Sequence, residues 1–205
     1  IFNNVNISFK AGELVALTGP SGSGKSTFLH LIALLDTPTL GRIIFKGKDT
    51  KNYDEKEKDL LRRNNISLIF QNNNLLSDFN ALENVMMPLL IRGESYKNSR
   101  ESSEEILKQF NLKGRLNHYP NELSGGEQQR VAIARTLIAK TDLILADEPT
   151  GNLDEKTSLN IFSYFQKLKK LNKSIIFATH NRELANKADY KLSISKGNIK
   201  RVNAR

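Results

Sequence analysis

The chain contains no cysteine among its 205 residues, so it has no disulfide framework, and its thiol-free composition fits a cytosolic protein. No apolar run approaches the ~18 residues that cross a bilayer. No secretory leader opens the sequence, although it begins at Ile1 rather than Met, and the expectation is that a segment lies upstream. There are no internal repeats and no low-complexity linker, which excludes a solenoid and a pair of loosely tethered domains. No basic run is interleaved with aromatics, as a nucleic-acid groove requires. The net charge of +9, from 31 Lys and Arg against 22 Asp and Glu, is spread along the chain. It reflects composition, and no nucleic-acid partner is expected. The length suits one α/β domain with a small insertion.

The chain is organised around one turn, Gly19-Pro20-Ser21-Gly22-Ser23-Gly24-Lys25-Ser26-Thr27. The apolar run Leu14 to Leu17 leads in, and a helical pattern from Phe28 to Leu35 leads out. This is the glycine-rich phosphate loop in its required context, strand then loop then helix. Glycines let backbone N–H groups turn inward around a phosphate, and the helix adds the positive end of its dipole. Lys25 would reach the β- and γ-phosphates of a nucleotide, and Ser26 would offer its hydroxyl to Mg²⁺.

Along the chain, Val5, Ile7 and Phe9 alternate with polar neighbours and predict a half-buried strand. Strands are expected at Glu13 to Thr18, Arg42 to Phe45 and Ile66 to Phe70. Asp54 with Glu57 predicts a capping box at the head of a helix. From about 77 to 135 the pattern is helical, which interrupts the alternation and predicts an inserted helical lobe. The all-apolar strand Leu143–Ala146 restores it. A helix capped by Asp154, a buried strand ending at His180, a short helix and a hairpin turning at Lys196-Gly197-Asn198 follow.

Two further constellations carry chemistry. Leu143-Ile144-Leu145-Ala146-Asp147-Glu148 ends an apolar strand in two acids. In a phosphate-loop protein, the strand neighbouring that loop often ends so. Asp147 would hold Mg²⁺ through water, and Glu148 would polarise an attacking water as general base. Standing alone, the pair also fits a solvated acidic turn. Ser124-Gly125-Gly126-Glu127 reads as a capping box opening the helix Gln128–Ala139, and its glycines leave the amides bare. It is a second anion-binding helix end in one chain. Two copies facing head to tail explain it, each lending this end to the other's nucleotide.

Leu123-Ser124-Gly125-Gly126-Glu127-Gln128-Gln129-Arg130 resembles the signature motif of the ABC ATPases. The other family motifs follow in order over essentially the whole chain. Gln71 resembles the Q-loop, Asp147-Glu148 the acidic strand end, Asn152-Leu153-Asp154 the D-loop, and His180 the switch histidine. The resemblance implies a phosphate-loop NTPase with a RecA-like core, an inserted helical subdomain and an antiparallel β edge. It implies one ABC ATPase domain over 1–205, with the core at about 1–76 and 136–205 and the helical part at about 77–135. It implies ATP and Mg²⁺ as ligands and a homodimer, with two ATPs sandwiched between Gly19–Thr27 of one subunit and Ser124–Gly126 of the other. Gln71 would contact the Mg²⁺ and the water, His180 would hold the γ-phosphate, and Asp154 would link the two sites. The family's adenine-stacking aromatic falls before Ile1 in this register.

The segment after Gln71, from Leu75 to Leu90, is similar to that of ATPases from lipoprotein-releasing systems. So are Leu35-Asp36-Thr37-Pro38-Thr39 and Gly151-Asn152-Leu153-Asp154. Macrolide-exporter and cell-division ABC ATPases share part of this pattern. The resemblance implies an ATPase on the cytoplasmic face of a bacterial inner membrane, driving integral membrane subunits that release lipoproteins. Those subunits are expected to dock near Gln71 and Leu75–Leu90, although Leu75, Phe79, Leu82 and Val85 would equally serve as helical-lobe core. A soluble ABC ATPase acting on nucleic acid or ribosomes is the rival. One cassette and no heptad insertion count against it, and intact Lys25, Glu148 and His180 count against a non-hydrolysing regulator.

Overall fold

The computed structural model describes residues 2–151 and 153–203. The first strand, β1 (Leu14–Thr18), feeds helix α1 (Lys25–Ile32). A two-stranded hairpin, β2 (Ile44–Phe45) and β3 (Lys48–Asp49), precedes α2 (Glu55–Asn65) and β4 (Ile66–Ile69). Three helices come next: α3 (Ala81–Ile91), α4 (Tyr96–Gln109) and α5 (Gly125–Ile138). Then β5 (Leu143–Asp147), α6 (Glu155–Lys170), β6 (Ser174–Ala178), α7 (Arg182–Asn186), β7 (Tyr190–Ser195) and β8 (Asn198–Asn203) complete the chain.

The main sheet runs β4-β5-β6-β1-β7-β8. All neighbours are parallel except β7–β8, a hairpin that leaves β8 antiparallel at the edge. Lys200 and Arg201 on that edge discourage pairing with another chain. Strands β1 and β5 are apolar from Leu14 to Leu17 and from Leu143 to Ala146 because helices cover both faces. Leu14, Ala16, Ile144, Ala146, Ile175 and Phe177 point to one side, where they join residues of α3, α5 and α6. Val15, Leu17, Leu145, Ile176 and Ala178 point to the other, where Phe28 and Leu29 of α1 cover them. The helices α3, α4 and α5 pack on one another, and α5 also reaches β4. Their core is therefore continuous with one face of the sheet.

At the amino end of β5, away from the phosphate loop, Asp142 gathers three donors. Lys173 Nζ lies 2.8 Å from Oδ1, while Lys46 Nζ at 2.5 Å and Asn65 Nδ2 at 3.1 Å reach Oδ2. These contacts tie the small hairpin, α2 and β6 to the start of β5.

The segment around Val5, Ile7 and Phe9 does not form a strand. The alternation marks burial, with Ile7 and Phe9 packed beside Phe28 and Val5 exposed. A strand needs a hydrogen-bonded neighbour as well as a buried side, and this segment has no ladder. A second correction concerns the sheet order. The strand ending in Asp147 is not next to the strand feeding the phosphate loop, because β6 lies between β5 and β1.

Candidate active site

The loop after β1 is shaped by glycine where it must be. Gly19 has φ +154, and a Cβ there would stand 2.5 Å from the carbonyl oxygen of Ile194. The loop thus lies directly against β7, and no other residue fits. Lys25, almost fully buried, donates from Nζ to the carbonyls of Gly19 and Pro20, at 3.1 Å each. The Ser23 hydroxyl is buried with no partner. A buried polar atom left over in a loop of inward amides suits an anion.

Four neighbouring parallel strands end at this edge of the sheet. Beyond β4 comes Gln71, beyond β5 Glu148, beyond β6 His180, and beyond β1 the loop with Lys25. A cavity of about 300 Å³ is lined by Ser21, Gly22, Gly24, Lys25, Ser26, Thr27, Gln71, Glu148 and His180. His180 Nε2 stands 2.9 Å from Glu148 Oε1. Glu148 adopts φ +48, a conformation costly for a residue with a side chain. It is held there by its N–H donating to Ala178 O and by its carbonyl accepting from Gly151 N, both at 3.1 Å. A second hollow of about 400 Å³ lies on the other side of the Glu148–His180 pair, between Thr150, Leu153, Glu155, Leu159 and Asn181. The smaller cavity holds the phosphate-type donors. Asp147 is buried at the end of β5, paired in register with Ala178, and does not line either cavity.

Ser124 caps α5 as the sequence predicts. Its hydroxyl accepts from Glu127 N at 3.3 Å, and Glu127 Oε2 accepts from Ser124 N at 2.9 Å. That backbone hydrogen bond, helped by Arg115 at 2.8 Å, holds the Glu127 carboxyl below its ordinary range. Ser124 and Gly125 are exposed, and a Cβ on Gly125 would meet nothing within 4 Å. Nothing within the chain demands glycine at 125. The first amides of α5 have no intrahelical acceptor, and they do not face the cavity of their own chain. Asp154 caps α6, accepting from Thr157 N at 2.9 Å and Thr157 Oγ1 at 2.6 Å, and the Thr157 hydroxyl holds its carboxyl low. Asn152 lies outside the described residues.

The stretch from Leu75 to Leu90 divides. Leu82, Val85, Met86 and Leu89 are core, whereas Leu76 and Phe79 are 41% and 36% exposed. Of the apolar residues in the stretch where docking is expected, these two are the exposed ones, because α3 packs its inner face on α5. Three polar residues that sequence reasoning passed over hold this region. Gln129, buried in α5, donates to Pro149 O beside Glu148 at 3.2 Å. Asn84, fully buried in α3, clasps Leu76, Phe79 and Asn80. Arg135 reaches the carbonyls of Asn73 and Asn74. A polar residue on the apolar side of a helix was the available signal.

Comparison with known proteins gives a uniform result. The family described as ABC transporter matches residues 2–151. The lipoprotein-releasing system ATP-binding protein LolD of Rickettsia bellii is 49% identical over 195 residues, 94% of this chain and 86% of that protein. Its namesake from Wigglesworthia glossinidia brevipalpis is 44% identical over 204 residues, 99% of this chain and 89% of that protein. Among solved structures, a dimeric bacterial ABC transporter cassette superposes with TM-score 0.95 at 40% identity, over all of this chain and 90% of the other. So does a dimeric cassette in a post-hydrolysis state bound to ADP and phosphate, at TM-score 0.95 and 39% identity over the same shares.

Proposed function

The chain belongs to the ABC transporter ATP-binding family, and from that premise we propose that it hydrolyses ATP as a head-to-tail homodimer powering lipoprotein release from a bacterial inner membrane. The substrate assignment follows the relatives named for lipoprotein release. The dimer follows the dimeric cassettes of the same fold. No described helix is long and apolar enough to cross a membrane. Integral membrane subunits would dock by Gln71, where the exposed Leu76 and Phe79 lie in the segment that follows.

One observation carries the catalytic reading: the Glu148–His180 pair at 2.9 Å, sharing a cavity with Lys25, Ser26 and Gln71. The triphosphate enters the glycine loop, and Lys25 exchanges its loop carbonyls for the β- and γ-phosphates. Gly19, Pro20, Ser21, Gly22, Ser23 and Gly24 wrap the phosphates, and Ser26 and Thr27 follow at the head of α1. Glu148 takes the proton of the attacking water. His180, released from Glu148, donates to the γ-phosphate as charge develops there. Ser124, Gly125 and Gly126 of the second copy close the site from the far side, and Asp154 fixes the loop joining the two sites.

Ser26 and Gln71 line the cavity and would offer Mg²⁺ hard oxygen ligands, while Asp147, buried at the end of β5 outside that lining, would act on the ion through water. When bound, the ion offsets charge on the β- and γ-oxygens.

The test is Glu148→Gln. It should bind ATP as the parent does, lose turnover, and sediment as a dimer in ATP. Unchanged hydrolysis removes Glu148 as base, and a monomer at every ATP concentration removes the head-to-tail site.

A further inference from the structure

The helix end opened by Ser124 carries a conflict of charge. The free amides at the head of α5 amount to about half a positive elementary charge. Glu127, in the first turn, adds a whole negative one. The Ser124 N–H and then Arg115 hold its carboxyl below the ordinary range, so it is ionised at neutral pH. The capping box does not ask for that charge, because a glutamine closes the same box. Left alone, Glu127 would leave the end of α5 about half a charge negative, and phosphate would be repelled there.

Arg115 resolves the conflict. It lies in the short helical turn Lys113–Arg115 and donates from Nε to Glu127 Oε1 at 2.8 Å. The other carboxylate oxygen, Oε2, accepts from Ser124 N at 2.9 Å. The segment bearing Arg115 is itself fastened to the head of α3. There Leu116 O accepts from Leu82 N at 3.0 Å, and His118 O accepts from Ala81 N at 2.9 Å. Arg130 is the second cation near this end, with Nη1 3.8 Å from where a Cβ on Gly126 would stand. Its field falls on Asp154, where it adds to the Thr157 hydrogen bonds that keep that carboxyl low. Arg115 is the cation that acts on Glu127. With it in place the head of α5 returns to about half a positive charge. As a stabilising contact the pair counts for little, since the Arg115 side chain is 46% exposed.

We propose that Arg115 is a positioning residue acting through Glu127: it balances that carboxylate and so keeps the head of α5 receptive to the phosphates of a second copy's nucleotide. The destination of the phosphates rests on the head-to-tail reading above. The charge balance itself lies within one chain.

The experiment measures the dimer dissociation constant of the full chain by sedimentation at saturating ATP and Mg²⁺, in the Glu148→Gln background. Arg115→Gln should raise it by at least about tenfold, because each dimer contains two such ends. Adding Glu127→Gln to that protein removes the unbalanced charge and should bring the constant back to within about threefold of the parent. Arg115→Lys keeps the charge and should also stay within about threefold. Arg100→Gln is the control. It removes the cation of another exposed pair, with Glu104 at 2.8 Å along α4, and should leave the constant unchanged. ATP binding to dilute monomer, read with a fluorescent nucleotide, should be the same in every variant, because the phosphate loop is untouched. The proposal is overturned if Arg115→Gln dimerises like the parent, if Glu127→Gln does not rescue it, if Arg115→Lys is equally defective, or if Arg100→Gln has the same effect. In each of those cases the parent still dimerises and the head-to-tail site stands. A parent that stays monomeric at every ATP concentration removes that site and the proposal with it.

Discussion

His180 Nε2 lies 2.9 Å from Glu148 Oε1, and the two side chains follow adjacent strands, β6 and β5. The acid sits in a strained backbone conformation fastened to β6 through Ala178 O. The proposed proton acceptor and the proposed hydrogen-bond donor to the γ-phosphate therefore follow the ends of neighbouring strands, with Asp147 paired to Ala178 beside them. His180→Ala should leave ATP affinity within about threefold and lower kcat by about 10²- to 10³-fold. Steady-state phosphate release measures both. A change confined to KM would move His180 out of the chemical step.

Two glycines should respond in opposite ways. Gly19→Ala forces a methyl to 2.5 Å from Ile194 O at a left-handed φ, and should cost about 2–3 kcal/mol of stability together with nucleotide binding. Gly125→Ala points its methyl into open space on a helix, so thermal stability should hold or rise slightly. Its ATPase should nevertheless fall at least tenfold, because the second copy's phosphates must approach there. Differential scanning calorimetry with an ATPase assay separates the two.

Acid should weaken the amino end of β5. The Lys173 contact, then Lys46 and Asn65, hold the Asp142 carboxyl well below its ordinary 3.8. A carboxyl lower in the folded state stabilises the fold above about pH 4, and loses that contribution as pH falls below it. Asp142→Asn should therefore be less stable than the parent at pH 7, by about 0.5–1 kcal/mol for contacts this exposed. The gap should narrow as the pH drops from 4 to 2. Denaturant midpoints along that series are the measurement.

Exposed and buried apolar residues of the 75–90 stretch should part company. Phe79→Ser should change stability by no more than about 0.5 kcal/mol and leave the isolated ATPase intact. It should reduce copurification of the membrane subunits. Leu82→Ala, in the core, should cost about 2–5 kcal/mol before any partner is considered. Retained copurification in a Phe79→Ser, Leu76→Ser double variant would move the docking surface elsewhere.

The sequence made the chemistry more legible than the packing. The glycine loop, the Ser124 capping box and the Asp54 and Asp154 caps read directly, because each is local: a few neighbours decide the backbone. The alternation at Val5, Ile7 and Phe9 misled, because period two reports a buried side and says nothing of a ladder partner. Strand order was out of reach for the same reason. Nothing near Asp147 in sequence says that β6 will insert between β5 and β1. Arg135 and Gln129 were missed since their partners lie 61 and 20 residues away, and a lone polar residue in an apolar helix does not say which carbonyl it will meet.

The order β4-β5-β6-β1 has an engineering consequence. At about 4.8 Å per strand, the four chemical groups are spaced along roughly 14 Å of sheet edge. Gaps between them are set by backbone hydrogen bonds, not by the intervening loops. Chain added at the opposite edge, in the turn at Leu171-Asn172 for instance, leaves that scale untouched. A single residue inserted within β5 shifts the acid off its mark and turns every following side chain of the strand to the wrong face. Tags, sensors or split points for this ATPase therefore belong at the amino ends of the strands.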